Sequence, residues 1–189
     1  MLLIDDNIEN LDLVKAIDQL SQQRREYISR FTNEADKRAS TATYLLLCKC
    51  LSLKHGINHP PILEYGEHGK PFLRDYPHIH FNFSHCRTAA VCAISEAPIG
   101  VDIESIRSYN RRLAMRTMNE KEFSLIETSA QPDVAFTRLW TQKEAIAKLS
   151  GRGLYNIKEL IDNFNGTIKT TVNSEKGYIY SICQDLKKS

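Results

Sequence analysis

No stretch of this sequence is long and apolar enough to span a bilayer, and its opening MLLIDDNIEN has neither a basic region nor an extended apolar core. Neither a membrane anchor nor a secretory signal is expected, and the chain reads as cytoplasmic. An excess of one charge is also missing. Against 23 acidic residues stand 25 Lys and Arg, a net of +2, too little for bulk nucleic-acid binding although a local basic patch stays open. The cysteines number five, an odd count without paired metal-ligand spacing, so reduced thiols are expected. Eight Gly and six Pro in 189 residues leave no low-complexity segment or long linker. Four signatures are absent: the P-loop, the Rossmann glycine pattern, the G-x-S-x-G elbow and H-E-x-x-H. Each would have fixed a chemistry at once.

What is present centres on residues 136–154, FTRLWTQKEAIAKLSGRGL, which hold the only Trp. Phe136, Leu139, Trp140, Ile146 and Ala147 form an apolar helical stripe, and Gly151 and Gly153 end the helix. Glu144 and Lys148, four apart, share a face on the rim of that stripe. A surface Glu-Lys pair would explain them. A second acidic pair upstream tips the reading towards a site. Residues 99–104 alternate as a strand, with Ile99, Val101 and Ile103 on one face and Gly100, Asp102 and Glu104 on the other. The two carboxylates stand about 7 Å apart and repel unless a cation sits between them. Gly100 is expected to leave room for a ligand against the backbone. Lys143, nearer the stripe, reads first as a buried or snorkelling structural lysine.

The rest of the chain supports one domain over residues 1–189, with halves at about 1–98 and 99–189. Helices are expected near residues 11–20 and 21–31, then from Glu34 to Lys54 behind an Asn33 cap, with Ala35, Ala39, Ala42, Leu46 and Leu53 as the apolar stripe. Arg24, Arg25, Arg30, Lys37 and Arg38 make this region basic. Past Pro60-Pro61 the pattern turns to strands at residues 62–65, 72–73, 78–85 and 89–94. In the third, His80, Asn82 and Ser84 share a face, by default a solvent face. A capping box, Asn119 with Glu122, opens a further helix. Closing strands are expected at 157–161, 167–172 and 178–183, with a frayed tail at 184–189. Helix followed by strands thus occurs twice.

Asp102, Glu104 and Glu144 are an all-oxygen set suited to Mg²⁺ (Mn²⁺ as an alternative). Lys148, Lys70, His85 and Arg38 suit a phosphorylated ligand. Phosphoryl transfer needs that combination.

Four strings in order, Gly69-Lys70-Pro71, Phe81-Asn82-Phe83-Ser84-His85, residues 99–104 (IGVDIE) and residues 140–148 (WTQKEAIAK), resemble the 4′-phosphopantetheinyl transferases of the surfactin-synthetase-activating type. The stretch SQQRREYISRF and Arg38 fit as well, so the resemblance covers residues 21–154. Cys86 departs from it, where a small hydroxyl residue is common, and so does Tyr27, where a cation is often found.

The resemblance implies an α+β fold of two similar α/β halves packed as a pseudo-dimer, with the site at their interface. It implies transfer of the phosphopantetheine arm of coenzyme A to a carrier-protein serine, with release of 3′,5′-ADP. Asp102, Glu104 and Glu144 would hold Mg²⁺, Lys148 would neutralise the pyrophosphate, and Glu144, directly or through water, would be the base. Arg38 and His85 would bind the 3′-phosphate, and Lys70 and Ser84 would line the nucleotide pocket. Arg24 stands between a nucleotide contact and a solvated side chain. The partners expected are coenzyme A and an acyl or peptidyl carrier protein docking on residues 106–118, from Ile106 to Met118, where Arg107, Arg111, Arg112 and Arg116 interleave with Leu113 and Met115. A monomer is expected, without nucleic acid or membrane. The alternatives are a Mg²⁺-dependent phosphohydrolase and a small nucleic-acid-binding module on the basic helices.

Overall fold

The computed structural model describes residues 1–186. Sixteen elements follow one another, and they fall into two runs with the same logic. The first run is strand β1 (Leu2–Asp5), a 3-10 turn (Ile8–Asn10), helices α1 (Leu13–Ile17), α2 (Gln22–Ser29) and α3 (Glu34–His55), then strands β2 (Leu63–Tyr65), β3 (Pro71–Leu73), β4 (His80–His85) and β5 (Ala90–Ser95). The second is strand β6 (Gly100–Ser105), helices α4 (Arg111–Thr117), α5 (Glu120–Glu127) and α6 (Pro132–Ser150), a 3-10 turn (Ile157–Glu159), then strands β7 (Gly166–Asn173) and β8 (Tyr178–Asp185). The fold is α+β.

Each run builds a three-stranded antiparallel sheet with its last strand in the middle. The orders are β1-β5-β4 and β6-β8-β7. In each, a strand comes first, a long helix follows and covers the sheet, and a hairpin closes it. The β2-β3 hairpin is an addition to the first run.

Local chemistry sets the boundaries. Asn33 caps α3 through the Ala35 N–H, and Gly56 ends it in the left-handed region. Pro132 sits in the first turn of α6, and Gly151, left-handed at φ 71°, closes it. The Asn119–Glu122 capping box opens α5 as expected. All five cysteines are free thiols. No helix among the described residues is long and apolar enough to cross a membrane.

The core lies in layers. Tyr44, Leu47, Cys50 and Leu51 of α3 pack with Phe81, Cys92 and Ile94 of the first sheet. Val91 and Ala93 of β5 meet Val101 and Ile103 of β6, joining the two runs through a shared apolar seam.

Several expectations are corrected. The α3 stripe is wider than predicted: Ala35 and Leu53 are exposed and Tyr44 and Leu47 are sealed, because the helix lies between the sheet on one side and α1 and α2 on the other. Residues 157–161, expected as a strand, are a 3-10 turn at Ile157–Glu159 followed by further turn. The short strand β1 was not foreseen. β8 continues to Asp185, so the tail is paired past residue 184; residues 187–189 of the predicted fray lie outside the described residues. Gly100 serves the protein itself rather than a ligand. A Cβ there would stand 2.0 Å from the Ala145 carbonyl oxygen and 2.8 Å from Leu149 Cβ, so α6 crosses β6 at backbone distance. Gly100→Ala therefore has to push α6 away, and a loss of about 3 kcal/mol in unfolding free energy is expected. Denaturant unfolding checks this, and a variant as stable as the parent would contradict the close crossing.

Candidate active site

The crossing of β6 and α6 creates the site. β6 alternates as read: Val101 and Ile103 enter the seam, while Gly100, Asp102 and Glu104 face α6. Gly100 meets Ala145 and Leu149, Asp102 meets Lys148, and Glu104 reaches Trp140. The strand therefore runs against the helix direction, and two short-range periodicities bring Asp102, Glu104, Glu144 and Lys148 to one wall.

The opposite wall comes from the first run. A cavity of about 580 Å³ is lined by Arg24, Tyr27, Asp36, Ser40, Ser84 and His85 on that side, and by Asp102, Glu104, Glu144 and Lys148 on the other. Its size suits a small-molecule ligand. A second cavity of about 250 Å³, lined in part by Lys70, Asn82 and Gly151, shares Phe83, Glu144 and Lys148 with it.

Asp102 is the pivot, only 2 % exposed. Its Oδ1 accepts hydrogen bonds from Ser84 Oγ (2.8 Å) and from the Lys148 ammonium, which also donates to Ser84 Oγ (2.8 Å). Its Oδ2 is buried without a hydrogen-bond partner, an arrangement that costs energy unless a cation or donor completes it. Burial first, then the Asp102 charge, pushes the Glu104 and Glu144 carboxyls upward, while Lys148 pulls both back. Both outer acids thus feel the Asp102 charge. Among the described residues no three acidic, thiol or imidazole side chains are gathered so as to hold a metal as they stand; here the Lys148 ammonium supplies the positive charge on Asp102. The orphaned Oδ2 and the all-oxygen donor set nevertheless fit a hard divalent cation.

The remaining expected residues are placed unevenly. Arg24 lines the cavity but is neither solvated nor free. It is 5 % exposed, donates from Nη2 to Ser40 O and Oγ, and lies over the rings of Tyr27 and Tyr44. His85 lines the cavity wall; although the residue is exposed as a whole, the protein around its ring, and then Lys148, push the imidazole pKa down. Arg38 does not line the cavity, because Glu34 one turn earlier holds it at 3.0 Å. Arg38 and His85, both expected at one phosphate, therefore do not share the cavity wall in this structure. Lys70 lines only the smaller cavity, its ammonium capping the end of α6 through the Leu149 carbonyl (2.7 Å). The polar face of β4 is not a solvent face: Asn82 and Ser84 are buried against β6, Asn82 accepting from the Val101 N–H.

Cavity residues that the sequence reading missed are Asp36, Ser40 and Thr43 on α3, with Tyr65 and Phe83. The aromatic rings of Tyr27 and Phe31, four residues apart on α2, meet edge to face on this wall.

Lys143 is the structural lysine expected. Fully buried, it lies 2.9 Å from Glu122 and donates to the carbonyls of Ile157 and Lys158. One ammonium thus ties α6 to α5 and to the loop that follows, next door to Glu144. Removing it strands Glu122, so Lys143→Met should cost about 3–5 kcal/mol, and Lys143→Met with Glu122→Leu should recover much of that. Equilibrium unfolding of the three proteins checks this; a single variant within 1 kcal/mol or so of the parent would refute the anchor.

Two topologically matched α/β runs, with three carboxylates and a lysine on one wall of a cavity lined from both, make an α+β protein with a charged candidate site. The chain belongs to the 4′-phosphopantetheinyl transferase superfamily. Residues 98–187 match the model described as "4'-phosphopantetheinyl transferase superfamily", and residues 9–97 match "4'-phosphopantetheinyl transferase, N-terminal". Among similar proteins, the 4'-phosphopantetheinyl transferase gsp of Aneurinibacillus migulanus is 36 % identical over 139 residues, which are 72 % of this chain and 58 % of gsp. Sfp of Bacillus subtilis (strain 168), a protein of the same description, is 27 % identical over 182 residues, covering 87 % and 81 %. AcpT of Escherichia coli (strain K12), likewise so described, is 30 % identical, covering 69 % and 70 %. The match thus spans less than two thirds of gsp.

Proposed function

We propose that this protein transfers the 4′-phosphopantetheine arm of coenzyme A to a serine hydroxyl of an acyl or peptidyl carrier protein and releases 3′,5′-ADP. The observation that carries this reading is the single cavity in which Asp102, Glu104, Glu144 and Lys148 of one half face Arg24, Ser84 and His85 of the other, in a chain of this superfamily. The shared strand order further supports a pseudo-dimer of two related halves with the cavity at their junction.

The serine oxygen forms a bond to the phosphorus that carries the pantetheine, and the bond from that phosphorus to the bridging oxygen of 3′,5′-ADP breaks. The serine proton passes to the Glu144 carboxylate, directly or through a water. A carboxyl pushed up by burial is a better base than an exposed one. The Lys148 ammonium donates to the pyrophosphate, where the leaving charge collects. Asp102, Glu104 and Glu144 would hold Mg²⁺, or Mn²⁺, which supplies charge neutralisation to the pyrophosphate when bound. His85 is a cavity donor for the nucleotide phosphates, Arg24 lines the same wall with its Nη2 committed to Ser40, and Lys70 stands at the adjoining pocket. Arg38 would have to leave Glu34 to join them and is assigned no contact.

The test is to incubate the protein with coenzyme A, Mg²⁺ and a panel of apo carrier proteins and weigh the carriers. A phosphopantetheine mass gain is expected. Release of 3′,5′-ADP without any carrier would instead make the protein a hydrolase. Glu144→Gln should slow transfer by about 10²–10⁴-fold, the range of a lost general base, with the fold intact by circular dichroism. A rate like the parent's would remove Glu144 from this role.

The carrier is assigned to α4 and the loop before it. Leu113 and Met115 are exposed, 38 % and 54 %, beside exposed Arg107, Arg112 and Arg116. Arg111 is engaged by Glu127 at 3.0 Å and lies over Phe123, while Arg112 and Arg116 make no ion pair among the described residues. Arginines with adaptable methionine suit an acidic partner. Arg112→Glu with Arg116→Glu should raise the carrier KM by about tenfold, about 1.4 kcal/mol, and leave the coenzyme A KM unchanged; added salt should weaken the parent in the same way. Steady-state kinetics with each substrate varied decides, and an unchanged carrier KM at low salt would refute this surface.

A further inference from the structure

The notable contact of the site is between the halves. Ser84 lies on β4, where its neighbour Asn82 already pins the Val101 N–H of β6 through its side-chain oxygen. Two residues along the same buried face, Ser84 Oγ donates to Asp102 Oδ1 at 2.8 Å while receiving the Lys148 ammonium at 2.8 Å. Lys148 also donates to that same Oδ1, so the three side chains close a triangle. Ser84 is 7 % exposed and Asp102 2 %. A hydroxyl has one proton to give, and here it goes to the carboxylate rather than outward to a ligand. The consequence falls on the other oxygen. With Oδ1 held by two donors, the carboxylate cannot rotate without breaking both bonds, and Oδ2 is left buried with no partner.

We infer that Ser84 is a positioning residue: from the first half of the chain it fixes the Asp102 carboxylate of the second so that Oδ2 alone is presented to a divalent cation. This rests on the carboxylate site proposed above, and it gives Ser84 a task other than lining a nucleotide pocket. Preorganisation of a ligand by a hydrogen-bonded neighbour sets metal affinity, typically by about 10–100-fold. The effect should therefore appear in cation binding rather than in nucleotide binding.

The experiment compares the parent with Ser84→Ala in two titrations that involve no turnover. Mn²⁺ is titrated into each protein and followed by the electron paramagnetic resonance of free Mn²⁺. Coenzyme A is titrated into each by calorimetry with metal removed by chelator. Ser84→Ala is expected to weaken Mn²⁺ about tenfold while the metal-free coenzyme A affinity stays within about twofold, in a variant whose fold is intact by circular dichroism. Unchanged Mn²⁺ affinity would overturn the inference. So would a matching loss of coenzyme A affinity in the absence of metal, which would make Ser84 a ligand contact. A carrier protein that gains no mass with the parent enzyme would refute the proposed transfer but leave the Mn²⁺ comparison to decide the role of Ser84 by itself.

Discussion

A carboxylate buried at the seam between two halves is the constraint on which the rest depends. Asp102 sits in a region too dry for an unpaired charge, so something must be brought to it. Ser84 comes from β4 and Lys148 from α6, which requires all three elements to meet at one point. Gly100 lets α6 lie close enough, Asn82 pins β6 to β4, and the apolar contacts of Val101 and Ile103 with β5 hold the layers together. The chemistry of the site and the docking of the halves are thus one problem, solved by the same few side chains.

The halves share a strand order but not a chemistry. β1 reads Leu2-Leu3-Ile4-Asp5 where β6 reads Gly100-Val101-Asp102-Ile103. The first strand gives its sheet an apolar edge; the second carries a glycine and an acid to the crossing with its helix. The first half then supplies cations, hydroxyls and aromatic rings: Arg24, Ser40, Ser84, Tyr27 and Phe83. The second supplies three carboxylates and Lys148, with Asp36 the one acid on the first-half wall. Such a division suits a ligand that carries both charge and a flat ring.

What was legible in the sequence was what depends on short-range periodicity. Asp102 and Glu104 fall on one strand face by alternation, Glu144 and Lys148 on one helix face by the four-residue repeat, and the structure brings both pairs to one wall. What was not legible depends on what lies opposite. Nothing within residues 78–85 says that Asn82 and Ser84 face strand residues nineteen and eighteen positions later instead of water. Gly100 looked like space for a ligand because a missing side chain does not reveal whose backbone fills the gap. Ile157, Leu160 and Ile161 are apolar, yet the carbonyls of Ile157 and Lys158 are claimed by the buried Lys143, and the segment joins no sheet. Arg38 was assigned to a phosphate, but the nearest counter-charge was Glu34, one turn away on the same helix.

The matched topology has a consequence for biosynthesis. The first sheet is complete once β5 has emerged at Ser95, before any of the three clustered acids has been made. A nascent first half can therefore pair all its strands and seat α3, but the face of β5 formed by Val91 and Ala93 has no cover until β6 arrives. For that interval the growing chain presents a bare apolar surface, and it is the acid-bearing strand that hides it. The strand that completes the site is also the one that makes the half-made protein safe from sticking to its neighbours.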